Sequence, residues 1–162
     1  MANEASNAAV PDAAAPVFQI EKLYVKDLSL EVPNAPQVFT QPASPELEVQ
    51  LRNEAKQFAD GLFEVVVTAT VTARGEGKTV FLAEASQGGI FSVRNVSQED
   101  LEPLLGIGCP TILYPYLREV ISDVVTRAGF PPVVLQAVSF EQAYIQQRQQ
   151  QAAGGSRIEV AN

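Results

Sequence analysis

The chain has 162 residues, of which 46% are hydrophobic, and its 11 basic and 19 acidic residues give a net charge of −8. Without histidine and with one cysteine, it cannot form a Ser-His-Asp triad, an intrachain disulfide or the usual Cys/His zinc site. The negative charge argues against nucleic-acid binding, and no apolar run is long enough to cross a bilayer. The N-terminus also lacks the basic and apolar segments of a signal peptide, so we expect a cytoplasmic protein. From the observations above we also expect no cofactor, no metal and no direct membrane insertion.

Composition along the chain predicts one domain between two tails. Residues 1–16 are mostly Ala, Asn and Pro, which cannot bury a core, so they are predicted to be a disordered N-terminal tail. Residues 151–162 are predicted to be a flexible C-terminal tail, which leaves the ordered domain at 17–150. Only 19% of the residues are charged, so part of the apolar surface is expected to be covered by other subunits or by a partner.

Four strands are predicted first. The strand at 17–32 changes its apolar phase near Lys22 and again before Leu28, which indicates a bulge. A tight turn at 75–77 makes the last two strands an antiparallel hairpin. The second, third and fourth strands are predicted at 47–52, 63–73 and 79–91.

Helices follow the strands. A capping pattern at Ser97 predicts the start of a first helix, which is disturbed at 106–110 and ends at Gly129. Ser139 is predicted to cap a last helix at 140–151. Because strands and helices are segregated along the chain, we predict an α+β fold, with a four-stranded antiparallel sheet and two helices packed on one face.

Candidate enzymatic features are weak. Glu64 and Glu84 could form the carboxylate pair of a small hydrolase, but they lie on predicted sheet faces with no sign of a cleft. The segment at 77–79 has the Gly-Lys-Thr ending of a phosphate-binding loop, yet it lacks that loop's first glycine and precedes a strand. Cys109 is predicted to be a buried apolar group. We therefore predict no catalytic residues and no enzymatic activity.

Three blocks of sequence, taken in order, resemble the SecB family of bacterial export chaperones. They are Phe18-Gln19-Ile20 through Asn34-Ala35-Pro36-Gln37-Val38-Phe39, then Gln87-Gly88-Gly89-Ile90-Phe91, then Cys109-Pro110 through Tyr114-Pro115-Tyr116-Leu117-Arg118-Glu119. The chain departs from the family in one loop: it has Pro42-Ala43-Ser44-Pro45 where members can carry a Trp, and it contains no Trp.

The resemblance implies an ATP-independent holdase that binds unfolded secretory precursor proteins and delivers them to the SecA motor. It also implies a homotetramer, built as a dimer of dimers. The composition is consistent with these implications, because the chain is low in charge, rich in apolar residues and poor in catalytic groups. The alternative from a different class is a small domain that binds an apolar ligand.

The resemblance implies two sets of contact residues, and apolar patterning indicates a third. The SecA-binding face comprises Asp27, Glu31, Leu82 and Glu84. The subunit interface involves strand four and the long helix, and its strand-four residues are Ala83, Ala85 and Gln87. The client groove lies on the second strand, on an apolar connector at 130–138 and on the last helix, and comprises Leu47, Val49, Leu51, Phe130, Val133, Val134, Leu135, Phe140 and Tyr144. For each groove residue the alternative is ordinary core packing, and for each acid it is a solvated surface charge.

Overall fold

The fold is given by a computed structural model, which describes residues 14–41 and 44–154. Most of the two predicted tails, 1–13 and 155–162, lies outside the described residues. The last helix extends to Gly154, so residues 151–154 are helical although they were predicted to belong to the C-terminal tail.

Four long strands form the sheet, in the order β1-β4-β3-β2, and every neighbouring pair is antiparallel. The predicted fold class is confirmed. The second strand is much longer than predicted, because its polar second half finds backbone partners along the whole of the third strand. The strands are β1 (Val17–Glu31), β2 (Glu46–Ala59), β3 (Leu62–Gly75) and β4 (Lys78–Arg94).

The β3–β4 turn has the geometry that its sequence predicts. Glu76 and Gly77 both have positive φ, at 51° and 74°, as a two-residue turn of the hairpin-favouring type requires. The turn between β2 and β3 uses Gly61 in the same way, with φ at 65°. The central hairpin is therefore closed by local backbone chemistry.

Two bulges interrupt β1, and they explain its changes of apolar phase. Register shifts occur between Ile20 and Lys22 and between Val25 and Asp27, so the predicted bulge near Lys22 is confirmed. Because each bulge adds one residue, the apolar side chains all return to the side of the sheet that faces the core. These residues are Phe18, Ile20, Leu23, Val25, Leu28 and Leu30.

A nearly continuous helical path follows the sheet. It consists of α1 (Gln98–Pro103), a π-helical segment (Leu104–Gly108) and α2 (Cys109–Arg127), and α3 (Phe140–Gly154) comes after an extended connector. The Ser97 side chain accepts a hydrogen bond from the Asp100 backbone, which confirms the predicted cap. The disturbance predicted at 106–110 is largely this π-helical segment, and the chain does not leave helical geometry there.

The core lies between α2 and the two central strands. Every fourth residue of α2, from Leu113 to Val125, is fully buried against small side chains of β3 and β4, which let the helix approach the sheet closely. The core residues of these two strands include Ala69, Val71, Ala83 and Ala85. The other side of the sheet carries the even-numbered residues of β3 and, from Leu82 onward, those of β4, none of which belongs to this core. We call that side the open face.

Candidate functional site

Four residues meet on the open face at the seam between β1 and β4. Glu31 pairs with Leu82, and Ser29 pairs with Glu84. Asp27 and Glu31 are therefore the two diagonal neighbours of Glu84, with Cα–Cα distances of about 7–8 Å. We call Asp27, Glu31, Leu82 and Glu84 the acidic patch. These are the residues that the sequence assigned to SecA binding, and strand register brings them together.

The acidic patch is available to a partner. Asp27 and Glu31 are exposed, while Leu82 and Glu84 are half-buried. Glu84 accepts a hydrogen bond of 2.7 Å from the Thr70 hydroxyl, which fixes its carboxylate on the sheet. None of the three carboxylates is in an ion pair with a described residue. The patch therefore presents three negative charges around one apolar side chain.

A second polar cluster lies farther along the open face. Lys26 Nζ lies 2.6 Å from Glu64 Oε1, and the Tyr24 hydroxyl donates a hydrogen bond to the same carboxylate. We call Tyr24, Lys26 and Glu64 the Glu64 network. The hydrogen bonds from Lys26 and Tyr24 lower the pKa of Glu64, whereas burial and the nearby carboxylate raise the pKa of Tyr24 to about 12. Sequence reasoning missed this cluster, since its members are 40 residues apart.

The geometry excludes Glu64 and Glu84 as a hydrolytic pair. Glu84 lies opposite Thr70, which is six residues along β3 from Glu64, a separation of about 20 Å. Glycoside-cleaving carboxylates lie about 5–9.5 Å apart. The hydrolase alternative is therefore wrong for these two residues.

On the core side of the sheet, an open cavity of about 480 Å³ lies between the start of β2, the loop after β1 and the connector. Its wall is aromatic: the Phe130 ring lies 5.2 Å from Phe39 and 5.0 Å from Phe81. Leu47 reaches into it from β2. Sequence reasoning assigned Leu47 and Phe130 to the groove but missed Phe39 and Phe81, although Phe39 closes the first family-like block.

A smaller cavity of about 160 Å³ lies farther along the same side of β2. Ala55 lines it from the strand, and Phe140 and Tyr144 line it from α3. Tyr144 packs closely on the π-helical segment, because a Cβ at Gly106 would lie 2.9 Å from its ring. Val49 and Leu51 lie between the two cavities on the same face of β2. From Leu47 to Ala55 the strand spans about 26 Å. We call this trough the groove.

Three of the predicted groove residues are core residues. Val133, Leu135 and Phe140 are buried among the core side chains, although Val133 also lines the first cavity and Phe140 the second. Val134 is 64% exposed, but it points the other way, beside the outer side of α2. The connector is extended, so its alternate side chains face opposite directions. The other predicted residues along the groove are exposed or half-buried: Leu47, Val49, Leu51, Phe130 and Tyr144.

The connector is held against α2 by two side-chain contacts. Arg118 Nε donates a hydrogen bond of 2.9 Å to the Leu135 carbonyl, and the Tyr114 hydroxyl donates to the Gln136 carbonyl. Arg118 also lies over the Tyr114 ring, at 5.1 Å. These contacts fix one wall of the groove relative to the sheet.

The three residues assigned to the subunit interface do not reach the surface. Ala83, Ala85 and Gln87 share a face, as predicted, but α2 of the same chain covers that face and leaves them at most 4% exposed. Direct contact with another subunit through their side chains is therefore excluded while α2 is in place. The alternating pattern identified the buried face correctly, but α2 of the same chain covers that face, where the resemblance implied another subunit.

The single cysteine is structural. Cys109 lies at the start of α2 and is buried, as predicted, and its burial raises the pKa of the thiol to about 12. No helix within residues 14–41 and 44–154 is long and apolar enough to span a bilayer. In the same ranges, no three acidic or sulfur ligands are grouped so that they could hold a metal ion.

Comparison with known proteins shows which family the chain resembles. The family model described as preprotein translocase subunit SecB matches residues 11–151. A protein-export protein SecB from Chromobacterium violaceum is 58% identical, over 87% of this chain and 94% of the relative. Another from Methylobacillus flagellatus is also 58% identical, over 85% of this chain and 87% of the relative.

A solved structure shares the fold. A SecB-like chaperone of Mycobacterium tuberculosis, in complex with a ChAD peptide from an antitoxin, has a TM-score of 0.62. The two chains are 19% identical, and the match covers 75% of this chain and 91% of the other. The resemblance drawn from three sequence blocks is confirmed, and so is the non-enzymatic chaperone function that it implied. The chain belongs to the SecB family of protein-export chaperones.

Proposed function

We propose that this chain is an ATP-independent holdase that binds unfolded secretory precursors in the groove and delivers them to SecA from the cytoplasm. The observation that carries the proposal is the apolar trough along β2, with its wall of packed aromatic rings. Leu47 and Val49 are 48% and 45% exposed there. Apolar side chains left this open on a well-packed domain favour a partner that covers them.

An extended client fits the shape of the groove. The trough is about 26 Å long, which is the length of about eight extended residues. β2 lies at the edge of the sheet, so a client strand beside it can use unpaired backbone groups as well as side-chain burial. Backbone pairing and scattered apolar contacts depend little on client sequence, which suits a chaperone with many clients.

We propose that SecA binds the acidic patch. Three carboxylates without ion-pair partners among the described residues attract a basic segment, and Leu82 adds one apolar contact. Such an interaction between exposed charges weakens as salt is raised. The patch lies on the open face, away from the groove, so the two partners use different residues.

We propose that β1, rather than β4, makes the contact between subunits in a homotetramer built as a dimer of dimers. β1 forms the other edge of the sheet and has unpaired backbone groups. Its core-side residues extend beyond the cover of α2 and are 41–47% exposed. They are Phe18, Ile20, Val25 and Leu28. A second copy paired with this edge would cover them.

The test is suppression of aggregation without nucleotide. A reduced, unfolded secretory precursor is diluted from denaturant with and without the protein, and light scattering is followed. We expect scattering to be suppressed at a near-stoichiometric ratio and to be unchanged by added ATP. Scattering that is equal with and without the protein would reject the holdase function, and suppression that requires ATP would reject its independence of nucleotide.

A further inference from the structure

A polar cleft adjoins the groove at the start of β2. The cleft has a volume of about 240 Å³ and lies between the loop after β1 and the β3–β4 turn. Val38, Gln41 and Val80 line both this cleft and the neighbouring cavity of about 480 Å³, which we call the aromatic cavity. A client whose apolar side chain fills the aromatic cavity therefore has its adjoining residues within reach of the polar cleft.

One turn of 3₁₀ helix after β1 contributes to the walls of both spaces. It starts at Gln37, which lines the polar cleft, and ends at Phe39, which lines the aromatic cavity. The Phe39 ring is stacked on Phe130 at 5.2 Å. On the other side, Asn34 Nδ2 donates a hydrogen bond of 2.8 Å to the Thr79 carbonyl, which ties the loop to β4. The cleft is therefore held in shape before any ligand arrives.

The lining of the polar cleft suits an uncharged polar ligand. The loop contributes three amide side chains, those of Asn34, Gln37 and Gln41, and both glutamines are exposed. A side-chain amide donates and accepts hydrogen bonds, which are the two functions that a peptide group needs in a partner. The charged residues of the cleft, Glu76 and Lys78, have opposite signs and give it no net charge.

A client that leaves the groove at this end needs such partners. β2 begins at Glu46, so a client strand paired with its edge loses its backbone partners there. Client N–H and C=O groups that pass beside the apolar wall of the aromatic cavity lose water without gaining a hydrogen bond, which is unfavourable. Gln37 and Gln41 offer replacement partners next to that cavity.

We propose that the polar cleft is a client subsite, in which Gln37 and Gln41 bind the main chain beside the residue that fills the aromatic cavity. This inference rests on the proposed role of the groove in client binding and extends it. The groove supplies apolar burial and the edge of β2, and the cleft supplies hydrogen bonds where that edge has ended. Because all clients share the same main-chain groups, the cleft adds affinity without restricting client sequence.

The test compares fluorescent peptides of two lengths bound to the intact protein. The short peptide alternates Leu and Ser over about eight residues, which matches the length of the groove. The long peptides carry four further Ala and Ser residues at the N-terminal or the C-terminal end. We expect lengthening at one of the two ends to tighten binding by about three- to tenfold, the effect of one or two neutral hydrogen bonds. Ester groups in place of the added amides should abolish the gain, because they lack the N–H donors.

Gln37→Met with Gln41→Met keeps the approximate size of both side chains and removes their amides. The gain from lengthening should be lost in this variant and should persist in the matched control Gln50→Met, whose substitution lies on the open face. A gain that is absent from the wild type, or equal in the wild type and the double variant, would overturn the subsite. Val49→Asp tests the groove separately. If it binds the short peptide as tightly as the wild type does, the groove and the subsite are both rejected, whereas weaker binding without any gain from lengthening rejects the subsite alone.

Discussion

Substitution of Val49 by Asp tests the groove directly. Val49 lies in the middle of the trough and is 45% exposed, so a bound client that covers its free half gains about 1 kcal/mol. Aspartate loses that gain and must be desolvated by the client without a hydrogen-bond partner, which adds about 1–3 kcal/mol. The sum is about 2–4 kcal/mol. Clients can shift along the groove to avoid the charge, so we expect affinity to fall by at least about tenfold, which corresponds to 1.4 kcal/mol.

The assay is titration of a fluorescent unfolded precursor against wild type and Val49→Asp. Gln50→Asp is the matched control, because it adds the same charge to the next residue of β2, whose side chain points to the open face. Circular dichroism checks that both variants keep the fold. Equal loss of affinity in the two variants would point to long-range charge repulsion, and no loss in either would place the client elsewhere. Either result would refute the assignment of Val49 to the client groove.

Three further outcomes are expected. The native mass should be about 70 kDa, four times 17.4 kDa, and Leu28→Lys on the β1 edge should reduce it, as measured by light scattering. Ala85→Leu should destabilise the fold by about 1–3 kcal/mol in urea unfolding, because the larger side chain is forced beneath α2. The lowered pKa of Glu64 stabilises the native state fully above its ordinary pKa of 4.5 and progressively less as pH falls below it, so Glu64→Gln should flatten the acid limb of stability against pH.

The sheet was largely predictable because its strands carry local signals. The alternation in β3 and β4 and the turn at Glu76 and Gly77 are visible in the sequence, and they fix the central hairpin without reference to the rest of the chain. The second half of β2 gave no such signal, since it is polar on both faces. It is a strand because β3 offers it a continuous row of backbone partners, which is a tertiary effect.

Many residues of the candidate sites could be predicted from the sequence, but their arrangement in the fold could not. Alternation placed Ala83 and Ala85 on a buried face, but a periodic pattern carries no information on whether a helix or another subunit covers that face. The orientation of the connector's side chains was equally unpredictable from sequence. Val134 and its apolar neighbours look equivalent in sequence, and only the path of the connector along α2 decides which of them turns outward. The Glu64 network depends on strand order, since it links β1 to β3 across β4.

The positions of the groove and the acidic patch bear on how a client is handed over. The groove follows β2 on the core side of the sheet, whereas the acidic patch lies at the β1–β4 seam on the open face, and β3 separates them. Because the two sites share no residue and face opposite directions, we predict that SecA and a client bind simultaneously. By linkage, any coupling between them must be equal in both directions.

A direct measurement is the affinity of SecA for the empty protein and for the protein saturated with a fluorescent client. We expect the two values to agree within about twofold, and the client signal to sediment with SecA as a ternary complex. If the client is instead displaced in proportion to bound SecA, the sites overlap or are strongly coupled, and the assignment of opposite faces fails. With independent sites, release of the client requires a step that occurs on SecA, because binding at the acidic patch leaves the apolar contacts of the groove intact.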